Sequence, residues 1–162
     1  MKLGKYKKKQ IDFTKWQNLS LTLHFDLTSY ALHYGCGPCA LSLLTGIPVS
    51  IISKQNRFLS STSDAFVVNF LRRNGFSVLE LDAAKITNFE QITNKFTERN
   101  VFLVSQLFSR QQGSWAVIMG EYHIHNYSIE ILSSKEFLER PVLTAYLIKA
   151  KKDWVKKIKK RT

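Results

Sequence analysis

The first half of the chain carries apolar residues at helical spacing. The segment CALSLLTG is an apolar run that ends at Gly46, a residue type that commonly follows a helix. PVSIISKQN begins with Pro48, whose fixed φ suits the first helical position, and predicts a second short helix. In STSDAFVVNFLRRNGF, Ser or Thr caps precede Asp64 and apolar residues follow at helical spacing, which predicts a third helix.

The second half contains short apolar or alternating segments that are typical of strands. FSVLELD and VLTAYLIKA predict single strands, and VFLVSQLF, which is apolar almost throughout, predicts a central one. SWAVIMGEYHIHNYSIEIL predicts two or three antiparallel strands, and WQNLSLTLHF predicts a short strand near the start. NFEQITNKFTERN, with Asn88 as its cap, and SSKEFLER predict helices. Helices that precede a mostly antiparallel sheet indicate an α+β fold.

Length and composition suit one domain with its own core. The chain has 162 residues, of which 44% are hydrophobic and 12% aromatic. No apolar run reaches the roughly 18 residues of a membrane-crossing helix, and no apolar segment behind the basic start MKLGKYKKKQIDF marks a secretory signal. Two cysteines three positions apart cannot build a disulfide framework. We therefore expect a cytoplasmic or virion-associated protein that is not secreted and has no membrane partner.

The formal net charge of +12 belongs to the two ends of the chain. Residues 1–10 carry five lysines and no acid, and residues 149–162 carry eight basic residues and one acid. The remaining residues, 11–148, hold eleven basic and eleven acidic side chains. This pattern predicts a basic tail over 1–10, a domain over 11–150 and a basic tail over 151–162. Such tails either are solvated segments or attract a polyanion such as nucleic acid, with strong salt dependence.

The candidate chemistry centres on HYGCGPCALSLLTGIP, residues 33–48, which contains both cysteines, Cys36 and Cys39. The C-x-x-C spacing suits a redox dithiol, but DLTSYALHYG before it is not the buried strand that such a fold places there. With His123 and His125 the cysteines make four ligands suited to zinc, although no residues that would orient them are evident. We expect neither a metal nor a cofactor.

A single nucleophilic thiolate fits the pattern better. Cys36 stands just before the first turn of an apolar helix, where the helix dipole and free N–H groups favour a thiolate. Gly35 and Gly37 leave the sulfur accessible, and Cys39 packs as a small buried hydrophobe. The alternative is that Cys36 is a second buried cysteine.

At these residues the sequence resembles the papain-like cysteine peptidases, most of all the bacteriocin-processing double-glycine peptidases and their small relatives, many of them phage-encoded. GCGPCALSLLTG is similar to the family's Cys-Gly-Pro helix, and GSWAVIMGEYHIHN is similar to its Gly-His-aromatic-Val-Val hairpin. The resemblance spans residues 34–148. It implies a papain-like cysteine proteinase fold, in which the helix that carries the cysteine packs on a mostly antiparallel sheet. It also implies a Cys–His–Asp/Asn arrangement for acyl chemistry, with Cys36 as the nucleophile.

Two positions depart from the family's pattern. Ser114 stands where the family's hairpin has its His, and Tyr30 stands six residues before the cysteine, where the family has an oxyanion-hole Gln. Tyr30 or Ser29 is a substitute hydrogen-bond donor. Trp115, beside Ser114, belongs either to the core or to the wall of a substrate site.

A histidine on the partner strand of the hairpin is a substitute base. A two-residue turn at 120–121 places His125 opposite Ala116, so that His123 and His125 share the face of Ser114. Cross-strand spacing is roughly 5 Å, and we therefore expect His125 to be the base, with His123 as the second choice. Asn126 orients the ring only if the strand bulges. The alternative is that His125 is a structural residue of a half-buried sheet.

Two functions of different classes follow from these patterns. The first is a thiol hydrolase, a peptidase, isopeptidase or amidase that uses a Cys–His pair on a peptide or protein substrate. The alternative is a catalytically degenerate papain-like scaffold, a binding or structural protein of the phage virion or host-takeover type, whose cationic tails contact nucleic acid.

Overall fold

The structure is a computed structural model that describes residues 35–57, 61–95, 101–109, 112–119, 122–125, 128–131 and 138–150. Both basic tails, the strand predicted in WQNLSLTLHF and most of the helix predicted in SSKEFLER lie outside these residues. No helix within the described ranges has the length and apolar character needed to cross a membrane.

Four helices lie in the described part: α1 (Cys36–Thr45), α2 (Val49–Gln55), α3 (Asp64–Arg73) and α4 (Phe89–Lys95). Helix α1 ends as predicted at Gly46, whose φ of 77° is left-handed and costs glycine little. The Ser63 hydroxyl caps α3 by accepting a hydrogen bond from the Phe66 N–H at 3.1 Å. The Asn88 carboxamide caps α4 in the same way. One detail differs from expectation, since Pro48 is the N-cap of α2 and not its first helical residue.

The strands are β1 (Phe76–Glu80), β2 (Val101–Ser109), β3 (Gln112–Met119), β4 (Tyr122–His125), β5 (Ser128–Ile131) and β6 (Val142–Ala150). They form one sheet in the order β1-β6-β2-β3-β4-β5, with antiparallel neighbours throughout. The predicted α+β fold is confirmed, and β2 lies inside the sheet as its apolar run indicated.

The β3–β4 hairpin has the register that a two-residue turn predicts. Ile118 pairs with His123 and Met119 pairs with Tyr122. Because side chains alternate along a strand, this register places His123 and His125 on the face that Ser114, Ala116 and Ile118 occupy.

The sheet is covered by helices on both faces, and each face has its own apolar layer. One layer joins α1, α2 and α3 to strand residues that include Leu103, Trp115 and Tyr146. The other joins α4 to strand residues that include Val104 and Ile118. We call these the α1 layer and the α4 layer.

Helix α3 is fastened to the sheet at its first residue. The Asp64 carboxylate accepts hydrogen bonds from the Tyr146 hydroxyl at 2.6 Å and the Thr144 hydroxyl at 3.1 Å. Burial, with the hydrogen bond to Asp64, raises the pKa of Tyr146. The Tyr146 ring stacks on Trp115 at 6.3 Å, so this anchor supports the strand end described next.

Candidate active site

Cys36 is the first residue of α1, at a helix start built from residues with little side-chain bulk. Gly35 before it has φ 87° and ψ 172°, a backbone conformation that is essentially restricted to glycine. No described side chain caps this end. Since Pro38 has no N–H, the first turn offers the N–H groups of Cys36 and Gly37 to whatever binds beside the sulfur.

The Cys36 sulfur contacts the start of β3. It accepts a hydrogen bond from the Trp115 backbone N–H at 3.3 Å, across 79 residues of sequence. The described part of β4 pairs with β3 from Val117 to Met119, and Trp115 lies two residues before this paired stretch. A donor at the sulfur of a half-buried cysteine stabilises negative charge on that atom.

The second cysteine has a different environment. Cys39 is 2% exposed, and burial, reinforced by the charge of Cys36, raises its pKa from 9.0 to about 12. Both cysteines are free thiols. The prediction that Cys39 packs as a buried hydrophobe is confirmed, and Cys36 is not a second fully buried cysteine.

Thr62, a loop residue that precedes α3, packs against Gly37, the residue after Cys36. A Cβ atom on residue 37 would lie 2.2 Å from the Thr62 Oγ1 atom, so Gly37 permits a close approach that any side chain would block. The indole N–H of Trp115 donates to the Thr62 carbonyl at 2.8 Å. Trp115 therefore holds the sulfur with its backbone and Thr62 with its ring.

Position 114 begins a chain of buried polar side chains on the α4 side of the sheet. The Gln106 Nε2–H donates to the Ser114 hydroxyl at 3.3 Å, and the Gln106 Oε1 lies 2.8 Å from the His123 Nε2. Ser114 is 9% exposed, and Gln106 and His123 are each 4% exposed. Three linked polar groups in an apolar layer are stable because each has a hydrogen-bond partner.

Both hairpin histidines belong to this side of the sheet. Burial, followed by the charges of His125 and Arg140, lowers the pKa of His123 from 6.5 to about 3, so this imidazole is neutral at physiological pH. The half-buried His125 lies beside it, with ring centroids 6.3 Å apart and planes 26° apart. Cys36 packs against the α1 layer, whereas His123 contacts Phe89 of the α4 layer.

The structure thus locates five of the predicted site residues: Cys36, Ser114, Trp115, His123 and His125. Cys36 and Trp115 are in direct contact, and Ser114 is linked to His123 through Gln106. Trp115 is 5% exposed and belongs to the core of the α1 layer. Tyr30, Ser29 and Asn126 lie outside the described residues.

Two further residues of the site were not found from the sequence. Gln106 had a signal, because it is a polar residue inside the otherwise apolar segment VFLVSQLF. Thr62 had none, because only the packing of its loop on Gly37 brings it to the site. Within the described ranges, no three His, Cys, Asp or Glu side chains are close enough together to hold a metal ion.

Comparison with known proteins adds the fold class to this geometry. No protein-family model matches the sequence, and no curated protein matches it. The structure is similar to the crystal structure of the peptidase domain of Streptococcus ComA, a bi-functional ABC transporter involved in a quorum-sensing pathway. The TM-score is 0.54 at 13% identity, over 73% of this chain and 93% of that one. The likeness shows that the chain has a papain-like fold, with helices preceding the sheet.

Proposed function

We propose that the protein is a papain-like thiol hydrolase that cleaves a peptide, isopeptide or amide bond with Cys36 as its nucleophile. The observation that carries the proposal is the Trp115 N–H donated to the Cys36 sulfur at the start of α1. The residue Cys36 is half-buried, whereas the neighbouring Cys39 is buried in the core. The papain-like fold supports the same role for a cysteine at the start of a helix.

In this proposal His125 is the general base. The sulfur attacks the substrate carbonyl carbon and forms a C–S bond, while the thiol proton passes to His125. The C–N bond then breaks, and His125 returns the proton to the leaving nitrogen. Water, deprotonated by His125, attacks the thioester; the C–S bond breaks, the carboxylic acid leaves, and the proton restores the thiol.

The negative oxygen of each intermediate needs donors. The N–H groups of Cys36 and Gly37 at the open start of α1 serve this purpose, with Tyr30 or Ser29 as the added side-chain donor proposed from sequence. His125 is supported by its place on the face of Ser114, the position where the base of the similar peptidases stands. Asn126 remains the proposed residue that orients its ring.

The test is cleavage of a mixed peptide pool by the full chain, with new peptide ends read by mass spectrometry. The wild type is expected to generate ends that Cys36→Ala does not, and His125→Ala is expected to slow their appearance by about 10²- to 10⁴-fold. Cys39→Ala is the matched control and should keep the activity, because that thiol is buried. A folded wild type that cleaves nothing, and whose Cys36 accepts no acyl group from an activated ester, would contradict the proposal.

The second candidate is a degenerate papain-like scaffold that binds a protein partner, of the virion or host-takeover type. The observation in its favour is Ser114, because the position of the usual base holds a buried hydroxyl engaged with Gln106. In this function the two basic tails contact nucleic acid. Salt-dependent retention of the full chain on DNA, lost when residues 151–162 are deleted, is the expected result. An intact chain that ignores DNA at low salt would overturn the nucleic-acid role.

A further inference from the structure

We propose that Gln106 is a positioning residue of the thiol site, which holds Ser114, the neighbour of the Trp115 donor, with one end of its amide and the His123–His125 ring pair with the other. The inference rests on the proposed function, because it takes His125 as the base. No feature of the sequence motifs assigns this role to Gln106, which is recognised by its contacts with Ser114 and His123.

Both ends of the Gln106 amide are occupied. Its Nε2–H donates to the Ser114 hydroxyl at 3.3 Å, and its Oε1 lies 2.8 Å from the His123 Nε2. The side chain is 4% exposed, so rotation of the amide would leave buried polar groups without partners. Its direction is therefore fixed by the two residues that it joins.

The contact with Oε1 selects one form of His123. An amide oxygen only accepts hydrogen bonds, so the hydrogen of the neutral imidazole is on Nε2. The edge of the ring also meets Phe89, with centroids 5.4 Å apart and planes at 89°. His123 is therefore held by a hydrogen bond on one side and by an aromatic residue of α4 on another.

His125 takes its position from this fixed ring. The two imidazoles are nearly parallel, with centroids 6.3 Å apart. Because burial keeps His123 neutral, with a pKa of about 3, it presents no positive charge that would oppose protonation of His125 during catalysis. The other charged group that acts on His123 is Arg140. With His123 fixed and neutral beside it, the His125 ring is held in the defined position that proton transfer requires.

The Nε2 end of Gln106 binds the residue that precedes the donor to the sulfur. Gln106 and Ser114 are direct cross-strand partners, and Ser114 immediately precedes Trp115, whose N–H binds Cys36. The same amide therefore braces the strand end that donates to the nucleophile and the ring that supports the base.

The experiment compares the wild type with Gln106→Leu, which has a similar size but makes no hydrogen bonds to Ser114 or His123. Ser105→Ala is the control, because Ser105 is the adjacent residue on β2 and points to the other face. Full-length proteins react with p-nitrophenyl acetate at about neutral pH, and acetylation of Cys36 is measured by p-nitrophenolate release and mass spectrometry. Iodoacetamide alkylation at alkaline pH reports access to the sulfur without needing a base.

Gln106→Leu is expected to acetylate about 10- to 100-fold more slowly than wild type, which is the cost typical of a misplaced catalytic group. Alkylation at alkaline pH should stay within about twofold of the wild-type rate, and Ser105→Ala should acetylate at close to the wild-type rate. A folded Gln106→Leu protein that acetylates as fast as wild type would overturn the inference, as would a Ser105→Ala protein as slow as Gln106→Leu.

Failure of the proposed function is recognised separately. If His125→Ala acetylates as fast as wild type, His125 is not the base, and the role of Gln106 is then decided by nitrogen-15 NMR of the imidazoles. The wild type should show His123 hydrogenated at Nε2, and Gln106→Leu should lose this single form together with the ring contact to His125. An unchanged His123 signal in Gln106→Leu would contradict the positioning role whatever the activity.

Discussion

The two faces of the sheet differ in what they bury. The α1 layer is apolar and large, and the Cys36 sulfur lies at its edge, where it accepts the Trp115 N–H. The α4 layer is smaller and admits a polar chain that runs from Ser114 through Gln106 to His123. The proposed nucleophile thus adjoins an apolar layer, whereas His123, the neighbour of the proposed base, is held by a hydrogen bond.

This contrast shows how adjacent residues of a strand serve different layers. Ser114 points to the polar chain, while the side chain of Trp115 belongs to the apolar core. The backbone N–H of Trp115 lies between the two and reaches the sulfur. A sheet whose faces are packed differently can therefore hold an acid–base group and a nucleophile near one strand end without placing both in the same layer.

The largest expected effect is a difference in alkylation rate between Cys36, at the edge of the α1 layer, and Cys39, in its interior. Because burial raises the pKa of Cys39 to about 12, almost none of this thiol is ionised near pH 8, so iodoacetamide should modify the half-buried Cys36 faster by about 10²-fold or more. Peptide mapping by mass spectrometry after timed labelling measures this ratio. The denatured chain, in which both thiols are exposed, should label at both positions alike. Equal, slow labelling of both cysteines in the folded chain would contradict the expected difference between Cys36 and Cys39.

Consecutive residues of β2 test whether the two layers contribute equally to stability. Leu103 faces the α1 layer and Val104 faces the α4 layer, and both are fully buried. Leu103→Ala should lower the free energy of unfolding by about 2–5 kcal/mol because it leaves a cavity in the larger layer. Val104→Ala removes one carbon fewer and should lower it by about 2 kcal/mol. Urea unfolding measures both, and a larger loss for Val104→Ala would reverse the ranking of the layers.

Acid should weaken the α4 layer specifically. Burial lowers the pKa of His123 to about 3, so between that value and about 6.5 the unfolded chain binds a proton that the folded chain does not. The contribution of His123 to the free energy of unfolding is at its full value above about pH 6.5. It falls as the pH drops, by about 2 kcal/mol over 1.5 pH units. Urea unfolding at a series of pH values should show this slope in the wild type and a smaller one in His123→Phe. Identical slopes would mean that His123 is already protonated in the folded state.

The smallest expected effect concerns a helix of the α1 layer. Ser63→Ala removes the hydroxyl that caps α3 and should cost about 1 kcal/mol, while Ser63→Thr should cost much less. Thermal unfolding of the two variants measures the difference. The acetylation rate of Cys36 should be unchanged in both, because this cap lies outside the polar chain of the α4 side. A loss in Ser63→Thr equal to that in Ser63→Ala would show that the cap contributes nothing.

Local patterns were enough to predict most of the elements and part of the site. The apolar run before Gly46, the Ser or Thr cap before Asp64 and the almost continuous apolar run of β2 each depend on neighbouring residues, and each prediction is confirmed, with Ser63 as the cap. The hairpin register also followed from the turn length, and it placed His123 on the face of Ser114. The predicted start of α2 was wrong by one residue, since Pro48 is the N-cap and the helix begins at Val49.

Local sequence patterns did not predict the contacts between residues that are far apart in the sequence. Gln106 appeared in the sequence as a polar interruption of a strand, with nothing to say that Ser114 and His123 would flank it. Thr62 carried no signal, because its place follows from how closely one loop approaches Gly37.

The sequence by itself therefore determined an α+β chain with a cysteine at the start of an apolar helix and two histidines on one strand face. Only the tertiary structure decided that a backbone N–H from 79 residues away meets that sulfur, and that an amide links position 114 to the imidazoles. The physical reason is that periodicity, capping and turn length act over a few residues, whereas packing unites groups whose separation in sequence leaves no local trace.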